Sequence, residues 1–135
     1  MGAVDGWEAL GRWRDFVVDV VEGLSCRGGC PIGSLADDLA ELDEQARIEA
    51  ASVFEQWQAL LADAFRAMVA SGQLRPDADL DRMALATLAS LEGGLLLAKT
   101  TRATVPLEAA LDAAIAHLRA FAVEPSRRPR RTGQR

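Results

Sequence analysis

An all-α fold, a bundle of five helices, is what this sequence predicts. Alanine and leucine dominate a chain of 135 residues that has no tyrosine and only five prolines, and unbranched side chains lose little rotamer freedom on a helix. Apolar residues recur at i, i+3, i+4 and i+7 through long segments. Gly and Pro interrupt the pattern where helices must stop, and no run alternates with the period of a strand. Half of the residues are apolar, enough for one core in a domain of ordinary size.

The first helix is read over Trp7 to Leu24, where Trp13, Phe16, Val17, Val20, Val21 and Leu24 share a face. Gly28, Gly29, Pro31 and Gly33 break the pattern. Ser34 is a good N-cap for a short second helix that ends near Leu42, with Asp37 favouring its positive end. Asp43 caps a long third helix that runs to about Ser71, where Gly72 supplies a left-handed stop. Ile48, Phe54, Trp57, Leu61, Phe65 and Met68 line one side of it. Such a helix reaches roughly 40 Å and serves as the spine for the others. Asp79 caps the fourth helix, Leu80 to about Thr101, whose apolar residues fit no single stripe, so it must bury two faces. Pro106 opens the last helix at a favoured first-turn position, with Leu107, Leu111, Ala114, Ile115, Leu118 and Phe121 as its stripe.

Charge divides the chain in two. Residues 123–135 hold five arginines against Glu124, so the overall −5 leaves −9 on residues 1–122. We therefore divide the chain into a helical domain over 1–122 and a basic tail over 123–135, whose composition predicts disorder. A body so acidic repels phosphate backbones and is a poor reader of DNA. The longest apolar stretch is cut by Asp81, Arg82, Glu92 and Lys99, which argues against a membrane span. The N-terminus, with Asp5 and Glu8, lacks the order of a signal peptide, and the expected location is the cytoplasm.

Chemistry-bearing motifs are scarce. There is one histidine, no nucleophile elbow, no phosphate loop and no carboxylate–histidine set at metal-binding spacing, so an enzyme is not expected. No metal or cofactor is expected either. Cys26 and Cys30 flank a Gly-Gly turn. Two sulfurs and a distant His117 make no four-ligand zinc site. A redox pair is one reading, and free packed cysteines are the commoner outcome in a cytoplasmic protein. His117 lies off the apolar stripe and reads as a surface residue.

Four segments in order carry a resemblance. They are Gly29-Cys30-Pro31-Ile32-Gly33-Ser34-Leu35, then Phe54-Glu55-Gln56-Trp57, then Gly72-Gln73-Leu74-Arg75-Pro76-Asp77, and finally Leu91-Glu92-Gly93-Gly94-Leu95-Leu96-Leu97-Ala98. Together they resemble the C-terminal domain of TetR-family repressors, in a branch with a Gly-Cys-Pro-(Leu/Ile)-Gly segment, over roughly Trp7 to Phe121. The resemblance implies a small-molecule pocket among the helices. It also implies a homodimer in which the last two helices of each subunit form a four-helix bundle, and effector binding that releases operator DNA. Only six residues precede Trp7, so DNA contact is expected only through an N-terminal helix-turn-helix domain that this chain lacks. An excised domain, a misassigned start and a natural truncation each fit that expectation. The competing readings are a truncated interaction protein that pairs with a full-length relative and a small-ligand carrier unconnected to transcription.

Two sets of candidate residues follow. Trp13, Phe16 and Val20 on the first helix and Phe54, Trp57, Leu61 and Phe65 on the spine are the candidate ligand-binding residues. They predict a largely apolar small effector, with Asp19, Gln56 or Arg66 as a polar contact. Ordinary core packing is the competing reading for each. Gly93 and Gly94 stand inside the fourth helix, where each costs about 1 kcal/mol relative to Ala. Close approach of a second backbone explains that cost. Leu88, Leu91, Gly93, Gly94, Leu95, Ala110, Ala114 and Leu118 are therefore the candidate dimer contacts, against the alternative of a kink inside a monomer core.

Overall fold

The computed structural model describes residues 6–124. It contains α1 (Gly6–Gly23), α2 (Pro31–Leu39), α3 (Glu44–Ala70), α4 (Leu80–Thr101) and α5 (Val105–Arg119). Five helices are what the sequence predicts. Among the described residues the only extended pairing is one antiparallel bridge between Leu74 and Ala122.

The helix ends follow from local chemistry. Asp43 sits in extended backbone and its carboxylate accepts from the Gln45 and Ala46 amides at 2.9 and 3.1 Å. Asp79 does the same for Arg82 N at 3.1 Å. These bonds satisfy donors that the first helical turn leaves unpaired. α3 stops at Gly72, whose φ is 75°. The Gln73 amide then reaches the Met68 carbonyl and the Gly72 amide reaches Val69, which is a Schellman closure. α1 closes the same way without glycine: Ser25 takes φ 54°, Cys26 N bonds to Val21 O and Ser25 N to Glu22 O.

α2 departs from expectation. It begins at Pro31, and its N-cap is Cys30, whose sulfur accepts from Gly33 N at 3.3 Å, so Ser34 lies inside the helix. Proline at the first position needs no amide partner, and the helix starts four residues earlier than a cap at Ser34 implies.

Two apolar clusters hold the bundle. One gathers Leu10, Ala62, Phe65, Met68, Leu74, Met83, Ala84 and Leu118 from α1, α3, α4, α5 and the α3–α4 connection. The other joins Val18, Ala98, Leu107 and Leu111, with Trp13, Leu91 and Leu95 packed against it. Arg14 clasps α1 to α5, its guanidinium donating to Asp112 at 2.8 and 3.1 Å and to Glu108 at 3.4 Å. The α1–α2 loop is tied to the α4–α5 corner by Arg102, which donates to the Cys26 carbonyl at 3.1 Å. Val123 N donates to the Gln73 carbonyl at 3.0 Å. The rest of the basic tail, residues 125–135, lies outside the described residues.

Candidate functional site

A cavity of about 670 Å³ opens between α2, α3 and α4. Its wall is apolar, with Phe54 from α3 and Leu85, Leu88, Ala89 and Leu96 from α4. Its polar lining comes from Cys30, Ser34, Asp37 and Asp38 at α2 and from Glu92 and Lys99 on α4. An apolar wall with a few convergent polar groups is the usual form of a small-molecule site.

Glu92 is the polar lining residue set deepest in an apolar helix. It is the one charged residue between Arg82 and Lys99 on α4. Its carboxyl rests against the first turn of α2: a Cβ at Gly33 would lie 2.6 Å from Glu92 Oε2, so a larger residue there would displace the carboxyl. Burial pushes the Glu92 carboxyl above the ordinary carboxylate range, and its hydrogen bond with the Cys30 thiol offsets only part of that rise. Burial also pushes the Cys30 thiol up, against the Gly33 amide bond that favours thiolate, and the negative charge of Glu92 adds to the rise. Glu92 Oε1 is buried and accepts no hydrogen bond from the protein. The Lys99 stem packs over Gly29, with Cδ 3.2 Å from the position a Cβ would take.

The aromatic set singled out in the sequence does not converge on this cavity. Only Phe54 lines it, with Trp57 packed edge-on against Phe54 at a centroid distance of 5.8 Å. Trp13, Leu61 and Phe65 line a different space, a groove of about 490 Å³ between α1 and α3 that also touches Met68 and Gln73. Phe16 is 65% exposed and Val20 44% exposed, so neither faces the core with α3. The first-helix stripe is wider than the surface the other helices cover. Asp19, Gln56 and Arg66 are exposed and line neither space. Arg66 is instead occupied by Asp63 at 2.8 Å and Asp81 at 2.6 Å.

The candidate dimer contacts divide between the interior of the chain and its surface. The Gly94 surface is covered within the chain: a Cβ there would lie 2.9 Å from Leu107 Cα and 3.3 Å from Ala110 Cβ. Close approach is the reason for that glycine, and the neighbour is α5 of the same subunit. Leu91 and Leu95 pack on the second cluster, Leu118 belongs to the first, and Leu88 is buried beside the cavity. Ala110 and Ala114 are half-buried, and Gly93 is exposed with nothing near it. His117 is exposed, as its position off the stripe predicts, and stacks edge-on with Phe121 at 5.9 Å. Cys26 and Cys30 are both free thiols, Cys26 buried.

Sequence reasoning missed Glu92, Gly33 and Lys99 as neighbours of one cavity. The signal was present: a lone carboxylate in the middle of an otherwise apolar helix, and glycine in the first turn of another. Among the described residues no group of three or more His, Cys, Asp or Glu is placed to hold a metal ion, and no helix is long and apolar enough to cross a membrane.

Comparison with known proteins agrees with this architecture. Residues 6–114 match the family model described as the Tetracyclin repressor-like, C-terminal domain. The chain is 35% identical over 101 residues to the transcriptional regulator AcuR of Cereibacter sphaeroides, covering 73% of this chain and 46% of that protein. It is 29% identical over 97 residues to the HTH-type transcriptional repressor DhaR of Mycobacterium sp. strain GP1, covering 72% and 48%. The crystal structure of a regulatory protein TetR from Rhodobacter sphaeroides superimposes with a TM-score of 0.78 at 27% identity, over 84% of this chain and 60% of that one. The chain thus spans about half the length of these curated relatives. It belongs to the TetR family of transcriptional regulators, a family of regulators and not of enzymes, and its helices are the C-terminal domain of that family.

Proposed function

We propose that this domain is the effector-sensing and dimerising part of a transcriptional repressor, and that the effector occupies the cavity between α2, α3 and α4. The observation that carries the reading is the cavity itself, apolar along α4 and Phe54 and polar at Glu92. DNA is contacted through a helix-turn-helix domain outside the helices described here, since the body of this chain is strongly acidic.

The homodimer uses the outward face of α4 and α5. Steps of 100° per residue put Ala86, Ser90, Gly93 and Leu97 on one side of α4. Leu97 is 52% exposed there, and Leu96 and Leu85 are exposed beside it. On α5 the exposed Ala109 and Ala113 flank the half-buried Ala110. This face keeps Gly93, Ala110 and Ala114 from the expected contacts and replaces the buried leucines with Leu97. Small residues allow two such faces to approach closely and form a four-helix bundle.

Light scattering and ligand titration test the two halves of the proposal. The expected result is a dimer at tens of micromolar that Leu97→Glu converts to a monomer of unchanged helicity. A monomeric native protein refutes the interface. For the cavity, Ala89→Trp fills the wall and should abolish the thermal stabilisation given by any effector. A ligand at 100 times its dissociation constant contributes about 2.7 kcal/mol. An effector that still stabilises the Trp variant binds elsewhere.

A further inference from the structure

α2 is held differently from the other four helices. None of its nine residues is buried, whereas α1, α3, α4 and α5 each bury two or more. Its apolar side chains Ile32, Ala36 and Leu39 are half-buried, and Leu35 is exposed. Among the described residues no ion pair joins it to another helix. The hydrogen bond between the Cys30 thiol and Glu92 ties its first turn to α4. Ahead of that tie, Arg102 anchors the Cys26 carbonyl, and Gly28 and Gly29 follow with φ of 93° and 72°. Two glycines between an anchored point and a lightly packed helix can absorb the backbone rotation of a hinge. The helix they carry forms one side of the cavity, through Cys30, Gly33, Ser34, Asp37 and Asp38. We propose that α2 is a hinged flap along the cavity, and that the uncharged carboxyl of Glu92, seated under its first turn, is the latch that keeps it closed.

The latch follows from what the closed flap does to that carboxyl. Oε2 would lie 2.6 Å from a Cβ at Gly33, so the group is pinned against the α2 backbone. Oε1 is buried and has no hydrogen-bond partner. A neutral carboxyl tolerates such a seat far better than a carboxylate, because burying a charge costs more than burying a dipole. Swinging α2 away returns both oxygens to water, where the ionised form is favoured. Closure and ionisation therefore oppose each other, in keeping with the rise that burial imposes on this carboxyl. The other titratable or charged groups on this side of the cavity are the Cys30 thiol, Lys99, Asp37 and Asp38. Burial pushes the thiol up as well, so it stays protonated through neutral pH. Lys99, Asp37 and Asp38 are not among the groups that shift Glu92, and α3 brings only Phe54 to the cavity. Closure is thus favoured below the ordinary carboxylate range and weakens as pH rises through the raised value of Glu92. Its consequence for an effector rests on the effector reading of the cavity; the motion itself does not.

Hydrogen exchange of the ligand-free full chain, read by mass spectrometry and corrected for its intrinsic pH dependence, tests this. Protection of α2, taken relative to the α3 segment around Phe65 in the same sample, should fall by at least about threefold from pH 5.5 to pH 8. Glu92→Gln, neutral and of the same shape, should hold α2 protection constant over that range. Gly33→Ala, whose Cβ displaces the carboxyl, should bring protection at pH 5.5 down to about the native level at pH 8 and remove the pH response. Native protection that does not change with pH overturns the latch. So does a fall that survives Glu92→Gln, because another group would then be responsible. Gly33→Ala with native protection and a native pH response also overturns it, since the carboxyl seat would not be what holds α2. These readings need no ligand: if titration places the effector elsewhere while α2 behaves as expected, the effector reading falls and the flap stands.

Discussion

Gly93 and Gly94 are neighbours in sequence and opposite in surroundings, and alanine at each gives a sharp comparison. In mid-helix, alanine is favoured over glycine by about 1 kcal/mol from backbone entropy alone. At 93 nothing lies within 4 Å of the new Cβ, so that gain should be kept. At 94 the Cβ would stand 2.9 Å from Leu107 Cα and 3.0 Å from Leu107 Cδ1. The first of these atoms is backbone and cannot rotate away, so α5 must shift, at an overpacking cost of roughly 1–3 kcal/mol. The propensity gain is common to both variants, so their difference isolates that cost. Gly93→Ala should be more stable than Gly94→Ala by about 1–3 kcal/mol, or roughly 4–12 °C in Tm for a domain of this size. Urea unfolding followed by far-UV circular dichroism, at several protein concentrations, measures the difference. A Gly94→Ala variant as stable as Gly93→Ala would refute the argument that α5 of the same subunit explains this glycine.

Three further outcomes follow from the side-chain geometry. Arg14→Met should weaken the fold by about 1 kcal/mol at low salt and by much less at 1 M salt, because the clasp to Asp112 and Glu108 is partly solvated; paired urea titrations at the two salts check this. Gly33→Ala should leave stability within about 1 kcal/mol of native, since the atom it meets is the end of a flexible side chain. Urea unfolding of the variant beside the native protein measures the difference. Glu92 has its folded-state pKa raised by burial, so folding favours its protonated form. That stabilisation is present below the ordinary carboxylate value and is lost as pH rises through the raised value. Glu92→Gln should therefore raise the urea midpoint of the ligand-free protein at pH 7, with little gain below about pH 4.

The helices were largely legible because their ends are written in single residues. Asp43, Gly72 and Asp79 each perform the bond that their type predicts, and the bounds of α3 and α4 came out within a residue. α2 was misread because Pro31 and the Cys30 sulfur outcompete Ser34, a cap seldom looked for in cysteine. Sites were less legible than helices. Large aromatic side chains do not by themselves say which helices they will face: Trp13 and Phe65 line the groove between α1 and α3, while Phe54 lines the cavity with Leu85, Leu88 and Glu92. Periodicity shows that α4 has more than one apolar face, but it does not say which face α5 takes. Gly94 settles that question only once its neighbours are known. The charge of Glu92, set in an apolar helix, broke the local pattern and was the better guide. Sites are where sequence patterns are expected to conflict with packing.

α4 is shared by every surface that matters in the proposed function, which makes a linkage between them testable. One side presents Leu85, Glu92 and Leu96 to the cavity, another is locked to α5 at Gly94, and Gly93 and Leu97 look outward. The contact at Gly94 leaves no slack for α4 to tilt alone, so any movement that admits a ligand carries α5 with it. Both helices of the outward face then shift together. If that face joins two subunits, effector binding and dimerisation are coupled, and the coupling must be reciprocal: ligand changes the dimer dissociation constant by the factor, per site, by which dimerisation changes ligand affinity. Couplings of this kind commonly amount to about 1–3 kcal/mol, or roughly 5- to 150-fold. Sedimentation equilibrium with and without saturating ligand measures the first factor, and titration of native protein against Leu97→Glu measures the second. Agreement within error supports α4 and α5 as the moving element. A ligand that saturates the cavity and leaves both constants unchanged would show that α4 accommodates it without moving its outer face, and the signal to the DNA-reading domain would then have to leave through α1 and α3.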